Sequence, residues 1–182
     1  MAKIIIGLTG EMASGKSTVA RYLQQERGAN VYRFSNILRD ALSRIHQDNK
    51  RENLQTMSTM LRETYGEDVL ARAMAGDALN DINDIVAVDG VRRLGDIEHL
   101  KKLSGFKLIY IEANIEKCHQ RISIRNENVD DNGKTFEQFK EDRGREAEQQ
   151  IVELKAFADI VIDNNGDIDD LYQQVDEFLK SE

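Results

Sequence analysis

The stretch Gly10-Glu11-Met12-Ala13-Ser14-Gly15-Lys16-Ser17 constrains this chain more than any other. It fits G-x-x-x-x-G-K-[ST], a pattern whose backbone amides cradle nucleotide phosphates. The glycines are needed where the backbone bends sharply and where a Cβ would crowd the phosphates. The amides of residues 12 to 17 then converge as an anion nest at a helix N-terminus. In such a loop Lys16 reaches the β- and γ-phosphates and the Ser17 hydroxyl ligates Mg²⁺. Gly10, Ala13, Ser14, Gly15, Lys16, Ser17 and Thr18 are therefore the candidate ATP-binding residues.

The flanks supply the setting this loop requires. Lys3-Ile4-Ile5-Ile6-Gly7-Leu8 is a short apolar run, as expected of a strand buried on both faces. Val19, Tyr22 and Leu23 recur at helical spacing after the loop. Strand, glycine loop and helix follow one another directly.

At 182 residues and 40% hydrophobic composition, one compact domain spanning residues 1–182 with a modest insertion is expected. A formal charge of −8 with both signs interspersed argues against nucleic-acid binding. Cys118 is the only cysteine, so neither an internal disulfide nor a cysteine metal cluster can form. His46, His99 and His119 lack zinc-ligand spacing. No apolar run reaches membrane-spanning length and no export pattern opens the chain, so the expectation is a cytoplasmic protein without a membrane partner. Composition leaves monomer and homodimer open.

Taken in order, Asn30–Phe34 reads as a second strand ending at Ser35, a good helix N-cap. Three helical stripes follow, on Ile37 to Ile45, Leu54 to Tyr65, and Val69 to Ile82. That exceeds a plain crossover, so residues 36–82 are expected to form a helical cap over the phosphate loop. Asp84–Asp89 is a third strand and Phe106–Ala113 a fourth, with Leu94, Ile97, Leu100 and Leu103 marking a helix between them. Residues 126–134 are polar and read as a mobile loop, and Thr135 with Gln138 forms a capping box opening another helix. Asp159–Asp163 is the fifth strand, and the turn Asn164-Asn165-Gly166 leads to a last helix. The alternation implies an α/β fold: a five-stranded parallel sheet with helices on both faces. Its ligand crevice should lie at the carboxyl ends of the strands.

Phosphoryl transfer is mostly positioning and charge neutralisation, so the working residues should be Lys, Arg and metal ligands. Asp89, ending strand three, is placed to meet a Mg²⁺ held near Ser17, although a strand-end Asp capping its own turn would look the same. Arg39, Arg92 and Arg93 sit near the mouths of strands two and three, where arginine forks suit a phosphate. Pairing with Asp40 or Glu98 on a solvated face is the alternative. Arg121 and Arg125 lie four apart on one helix face, before the polar segment, and Arg143 and Arg145 follow it. Residues 121–146 thus have the makings of a lid that excludes water and covers the transferring charge.

Over nearly its full length the chain resembles the nucleoside monophosphate kinase group of P-loop kinases, which includes adenylate kinases and dephospho-CoA kinases. Gly7-Leu8-Thr9-Gly10 leading into Gly15-Lys16-Ser17-Thr18 looks like dephospho-CoA kinase. Ser35-Asn36-Ile37-Leu38-Arg39 is similar to the adenylate kinase segment that holds the acceptor phosphate. Asp89-Gly90-Val91-Arg92-Arg93 is similar to that family's Asp-Gly-Phe-Pro-Arg, and Arg121 and Arg125 match its lid arginines. Residues 158–166 resemble the closing strand and adenine-side loop, and residues 136–146 an Arg-Glu segment of related archaeal kinases. The resemblance implies Lys16, Arg93, Arg121 and Arg125 as catalytic and Asn165 and Gly166 on the adenine side. It also implies Ser35, Arg39, Arg92, Arg93 and Arg145 on the acceptor, and Ser17 and Asp89 on Mg²⁺. Arg92 replaces the family's proline, and Ile97 stands where adenylate kinases carry a base-reading Gln, so the acceptor base stays open.

The expected activity is Mg²⁺- and ATP-dependent phosphoryl transfer to a small phosphate-bearing acceptor, foremost a nucleoside monophosphate. Dephospho-CoA is the second acceptor, because Phe34-Ser35-Asn36 offers no carboxylate before Asp40 to deprotonate a hydroxyl. A nucleotide-binding switch or assembly ATPase is the alternative of another class.

Overall fold

The computed structural model describes residues 3–125, 135–144 and 146–182, so the segment 126–134 and Arg145 lie outside the description. Five strands form one parallel sheet: β1 (Ile4–Thr9), β2 (Asn30–Arg33), β3 (Ile85–Asp89), β4 (Phe106–Glu112) and β5 (Ile160–Asp163), in the order β2-β3-β1-β4-β5. β1 is central, with Leu8 in register with Asp89 on one side and Ile109 on the other.

Alternation along β1 builds two cores. Ile6 and Leu8 pack on α1 (Lys16–Arg27) and α9 (Ile168–Ser181) through Val19, Leu23, Leu171 and Val175. Ile5 packs on the opposite face with Met74 and Ala78 of α4 (Val69–Asn80), Ile97 of α5 (Leu94–Glu98) and Leu154 of α8 (Glu146–Leu154). Helices therefore cover both faces, as the apolar strands require. α8 was not anticipated from the sequence.

The three expected helices between β2 and β3 are present as α2 (Phe34–Arg44), α3 (Arg51–Tyr65) and α4. They share a small core of Leu38, Leu42, Met57 and Leu70. α6 (Ile115–Arg125) and α7 (Phe136–Arg143) flank the phosphate loop, and Thr135 and Gln138 form the expected capping box.

Several boundaries differ from expectation. Ser35 is not an N-cap: the last β2–β3 register pair is Arg33 with Asp89, and α2 begins at Phe34. Ile82 is outside α4 and 97% exposed. The Asp81 carboxylate accepts from Asn30, Tyr32 and Asn83, and Asp81 itself is extended, which ends the helix before Ile82. The helix expected over Leu94 to Leu103 is only α5 and one 3-10 turn, Leu100–Lys102, with Leu103 extended. Among the described residues no helix is long and apolar enough to cross a membrane.

Candidate active site

The phosphate loop joins β1 to α1, and its backbone carries the expected strain. Gly10, Ala13 and Gly15 have φ of 141°, 60° and 114°. For alanine that is a sparsely populated region, of the kind that persists where the surroundings over-determine it. The protein itself enforces both motif glycines. A Cβ on Gly10 would lie 2.2 Å from the Ile111 carbonyl oxygen, and one on Gly15 would lie 2.1 Å from Asn164 Nδ2.

Inside the loop, Lys16 Nζ donates to the carbonyls of Gly10 and Glu11 at 2.6 and 2.7 Å. The amine is thus folded back along the cradle it is expected to serve. Ser14 is fully buried, and its hydroxyl has no hydrogen-bond partner among the described residues. Ser17 and Thr18 stand half-buried in the first turn of α1.

Beside the loop, the Thr9 hydroxyl donates to the Val91 carbonyl at 2.9 Å, and the Val91 amide donates to Leu8. These bonds hold the residues after β3 against the end of β1. Asp89 is 7% exposed and receives Arg33 Nε at 3.0 Å. The pair leaves a hard carboxylate at the carboxyl end of the strand next to the loop. Asp89 and the Ser17 hydroxyl are oxygen donors of the type Mg²⁺ takes, and Mg²⁺ needs few of them because it keeps several waters.

Arg92 and Arg93 are exposed, while their backbone amides donate to the buried Asp96 carboxylate at 3.0 and 3.1 Å. Asp96 thereby fixes the turn and leaves both guanidinium groups outward. Arg39 is exposed on α2. None of the three makes an ion pair among the described residues, and Glu98 pairs with Lys102 instead. Ser35 is half-buried in the first turn of α2. Ile97 is 1% exposed within the core, so it points at no ligand.

On the other side, Met12 and Ala13 of the loop pack with Cys118 and Ile122 of α6 and Phe139 of α7. Burial pushes the Cys118 thiol pKa up, with Arg143 and Arg121 nearby pulling it down. Cys118 is a packed thiol. Arg121, on the same face of α6, donates through Nη2 to the backbone and side-chain oxygens of Asn164 at 3.0 and 3.2 Å. Asn164 in turn donates to the Ser14 carbonyl at 2.7 Å. The Asn165 side chain accepts from the Asn114 amide at 2.8 Å, and its carbonyl accepts from Lys117. Asn165 and Gly166 are exposed to half-buried at the turn from β5 to α9. Arg143 Nε donates to Glu11 Oε1 at 2.9 Å, and Nη2 pairs with Oε2. Arg121 Nη1 and Arg143 Nη1 are buried without a hydrogen-bond partner among the described residues. Of the other expected site residues, the Arg125 side chain and all of Arg145 lie outside the description.

Sequence reasoning passed over Arg33, Asn164 and Glu11 as site residues. Their partners are 56, 150 and 132 positions away, beyond the reach of any local pattern.

Comparison with known proteins bears on the family and the fold. The AAA domain family matches residues 6–153. A UPF0200 protein of Saccharolobus solfataricus is 33% identical over 175 residues, covering 95% of this chain and 90% of its own. A UPF0200/UPF0201 protein of Archaeoglobus fulgidus is 29% identical over 179 residues, covering 96% of this chain, which spans only 54% of that relative's length. Among solved structures, shikimate kinase from Bacteroides thetaiotaomicron superposes with a TM-score of 0.66 at 15% identity, covering 97% of this chain and 98% of its own. At that identity the likeness is one of fold.

Proposed function

This chain belongs to the AAA domain family and to the UPF0200 group of P-loop proteins, and from that membership we propose a Mg²⁺- and ATP-dependent phosphotransferase whose acceptor is a nucleoside monophosphate. One observation carries the reading. Three buried donors, Ser14 Oγ, Arg121 Nη1 and Arg143 Nη1, have no hydrogen-bond partner among the described residues. Ser14 is in the phosphate loop, Arg143 is bound to its Glu11, and Arg121 is linked to it through Asn164. Buried donors are almost always paired, so a cluster without partners calls for an anion. Lys16 and the loop amides would hold the triphosphate, with Arg121 and Arg125 covering the transferring group. Asn165 and Gly166 would lie on the adenine side. Ser17 and Asp89 would hold Mg²⁺, which neutralises charge on the phosphate oxygens.

The acceptor is inferred from what strand two delivers. Arg39, Arg92 and Arg93, which make no ion pair among the described residues, stand near the mouths of neighbouring strands and suit a dianion. Asp89 is engaged by Arg33, and Asp40 is exposed on α2, so strand two and its neighbour offer no free carboxylate, among the described residues, as a base for a hydroxyl. A phosphate oxygen attacks without a base. In this reading Ser35 assists the acceptor phosphate, α2 to α4 close over its base, and residues 121–146, with Arg145, act as the lid.

The test is ADP release from MgATP with each common ribo- and deoxyribonucleoside monophosphate, with dephospho-CoA, and without acceptor. The expected result is transfer to a monophosphate, giving two diphosphates, and its loss in Lys16→Ala with the fold retained. Turnover with dephospho-CoA alone would overturn the acceptor and make Asp40 the first base to examine. Hydrolysis indifferent to every small acceptor would favour a nucleotide-driven switch.

A further inference from the structure

Glu11 occupies a position that the phosphate-loop pattern leaves unspecified, and a carboxylate there is electrostatically unwelcome beside a triphosphate. Its oxygens nevertheless take both the Nε and the Nη2 of Arg143. The two side chains are 16% and 18% exposed, so this is no solvated surface pair. A guanidinium gripped along its Nε–Nη2 edge is held in plane, and Nη1 lies on the opposite edge. That nitrogen is buried and lacks a hydrogen-bond partner among the described residues.

The grip is supported from the helix side as well. Phe139 precedes Arg143 by four residues on α7, hence on the same face, and is fully buried against Met12 and Ala13 of the loop. Arg121 is held at one nitrogen: Nη2 donates to both oxygens of Asn164, and Nη1 is buried without a hydrogen-bond partner among the described residues. Each arginine is anchored through Nη2 and leaves Nη1 for an anion.

We propose that Glu11 is a positioning residue, orienting Arg143 so that Nη1 donates to the γ-phosphate of bound ATP. Arg143 in return neutralises Glu11, which keeps the loop an anion site. Glu11 itself touches no reacting atom. The inference rests on the phosphotransferase reading above.

Affinities for MgATP and MgADP, measured by calorimetry, separate the possibilities. Glu11→Ala should weaken MgATP about tenfold while leaving MgADP unchanged, since a charged hydrogen bond to the γ-phosphate is lost. Glu11→Asp keeps the charge but shortens the reach, and should show the same ATP-specific loss. Glu11→Ala placed in an Arg143→Ala background should cause no further loss and should recover part of the binding, because the carboxylate left unneutralised is removed with it. Tighter or unchanged MgATP binding in Glu11→Ala would overturn the proposal. So would equal losses for ATP and ADP, additive effects with Arg143→Ala, or a Glu11→Asp variant that binds as wild type. If Glu11→Ala fails to fold, Glu11→Asp alone decides between these outcomes. Wild-type protein that binds neither nucleotide would sink the phosphotransferase reading itself, and this inference with it.

Discussion

The side-chain amide of Asn164 donates to the carbonyl oxygen of Ser14 at 2.7 Å, so the end of the last strand holds the middle of the phosphate loop. Its side-chain oxygen simultaneously accepts from Arg121. Asn164→Ala takes the donor from the Ser14 carbonyl and removes one of the two bonds to Arg121, whose Nη2 keeps the Asn164 backbone carbonyl. The change should cost about 1–3 kcal/mol of stability. Thermal unfolding should show a drop of several degrees, with ATP affinity falling as well. Unchanged unfolding and unchanged affinity together would mean that the loop holds itself.

Asp89→Asn preserves an acceptor for Arg33 but removes the charge offered to a metal. The Arg33 side chain is half exposed, so losing the ion pair should change stability by less than about 1 kcal/mol. The Mg²⁺ concentration giving half-maximal turnover should instead rise about tenfold or more, in line with loss of a metal-supporting carboxylate. A titration of activity against Mg²⁺ checks this, and an unshifted curve would assign Asp89 to the Arg33 pair alone.

The arginines should divide by kinetic parameter. If Arg39 and Arg93 meet the acceptor phosphate as proposed, before and during transfer, Arg39→Ala and Arg93→Ala should raise the acceptor KM. If Arg121 and Arg125 cover charge that develops in the transition state as proposed, Arg121→Ala and Arg125→Ala should lower kcat, by about 10³-fold where either behaves as an arginine finger. Steady-state kinetics over both substrates measures the split. Small, equal effects at all four positions would return them to a solvated face.

Acid sensitivity should centre on Asp81. Burial pushes its carboxyl pKa up, but hydrogen bonds from Tyr32, Asn83 and Asn30 together hold it well below the usual carboxylate range. The same bond, with burial, pushes Tyr32 up to about 12. A depressed carboxyl contributes stability that is complete above its unfolded value of 3.8 and lost as pH falls towards the folded one. Wild-type urea midpoints should therefore decline below about pH 4. Asp81→Asn should be less stable at neutral pH and flatter over that range, and parallel curves for the two proteins would refute the assignment.

Much of this molecule was legible without coordinates. The glycine–lysine loop, the five apolar strands and the three helices after β2 follow from local rules: residue type, periodicity and steric freedom over a few positions. Such rules place elements well and their ends poorly. β2 ends at Arg33, whose partner across the sheet is Asp89, with α2 starting at once at Phe34, and the Asp81 network stops α4 before Ile82. Ile97, set in the place of a base-reading residue, is buried in the core instead.

The sequence by itself determined the fold class and the phosphate cradle, because both are written in contiguous residues whose backbone demands no other types satisfy as well. Only the tertiary structure decided which charge meets which. Glu11 with Arg143 and Asn164 with Ser14 are separated by 132 and 150 positions. Glutamate and asparagine look like ordinary surface residues in the chain. They become parts of a site only when the parallel sheet brings its carboxyl ends together and packing on Phe139 removes the water that would otherwise pair them.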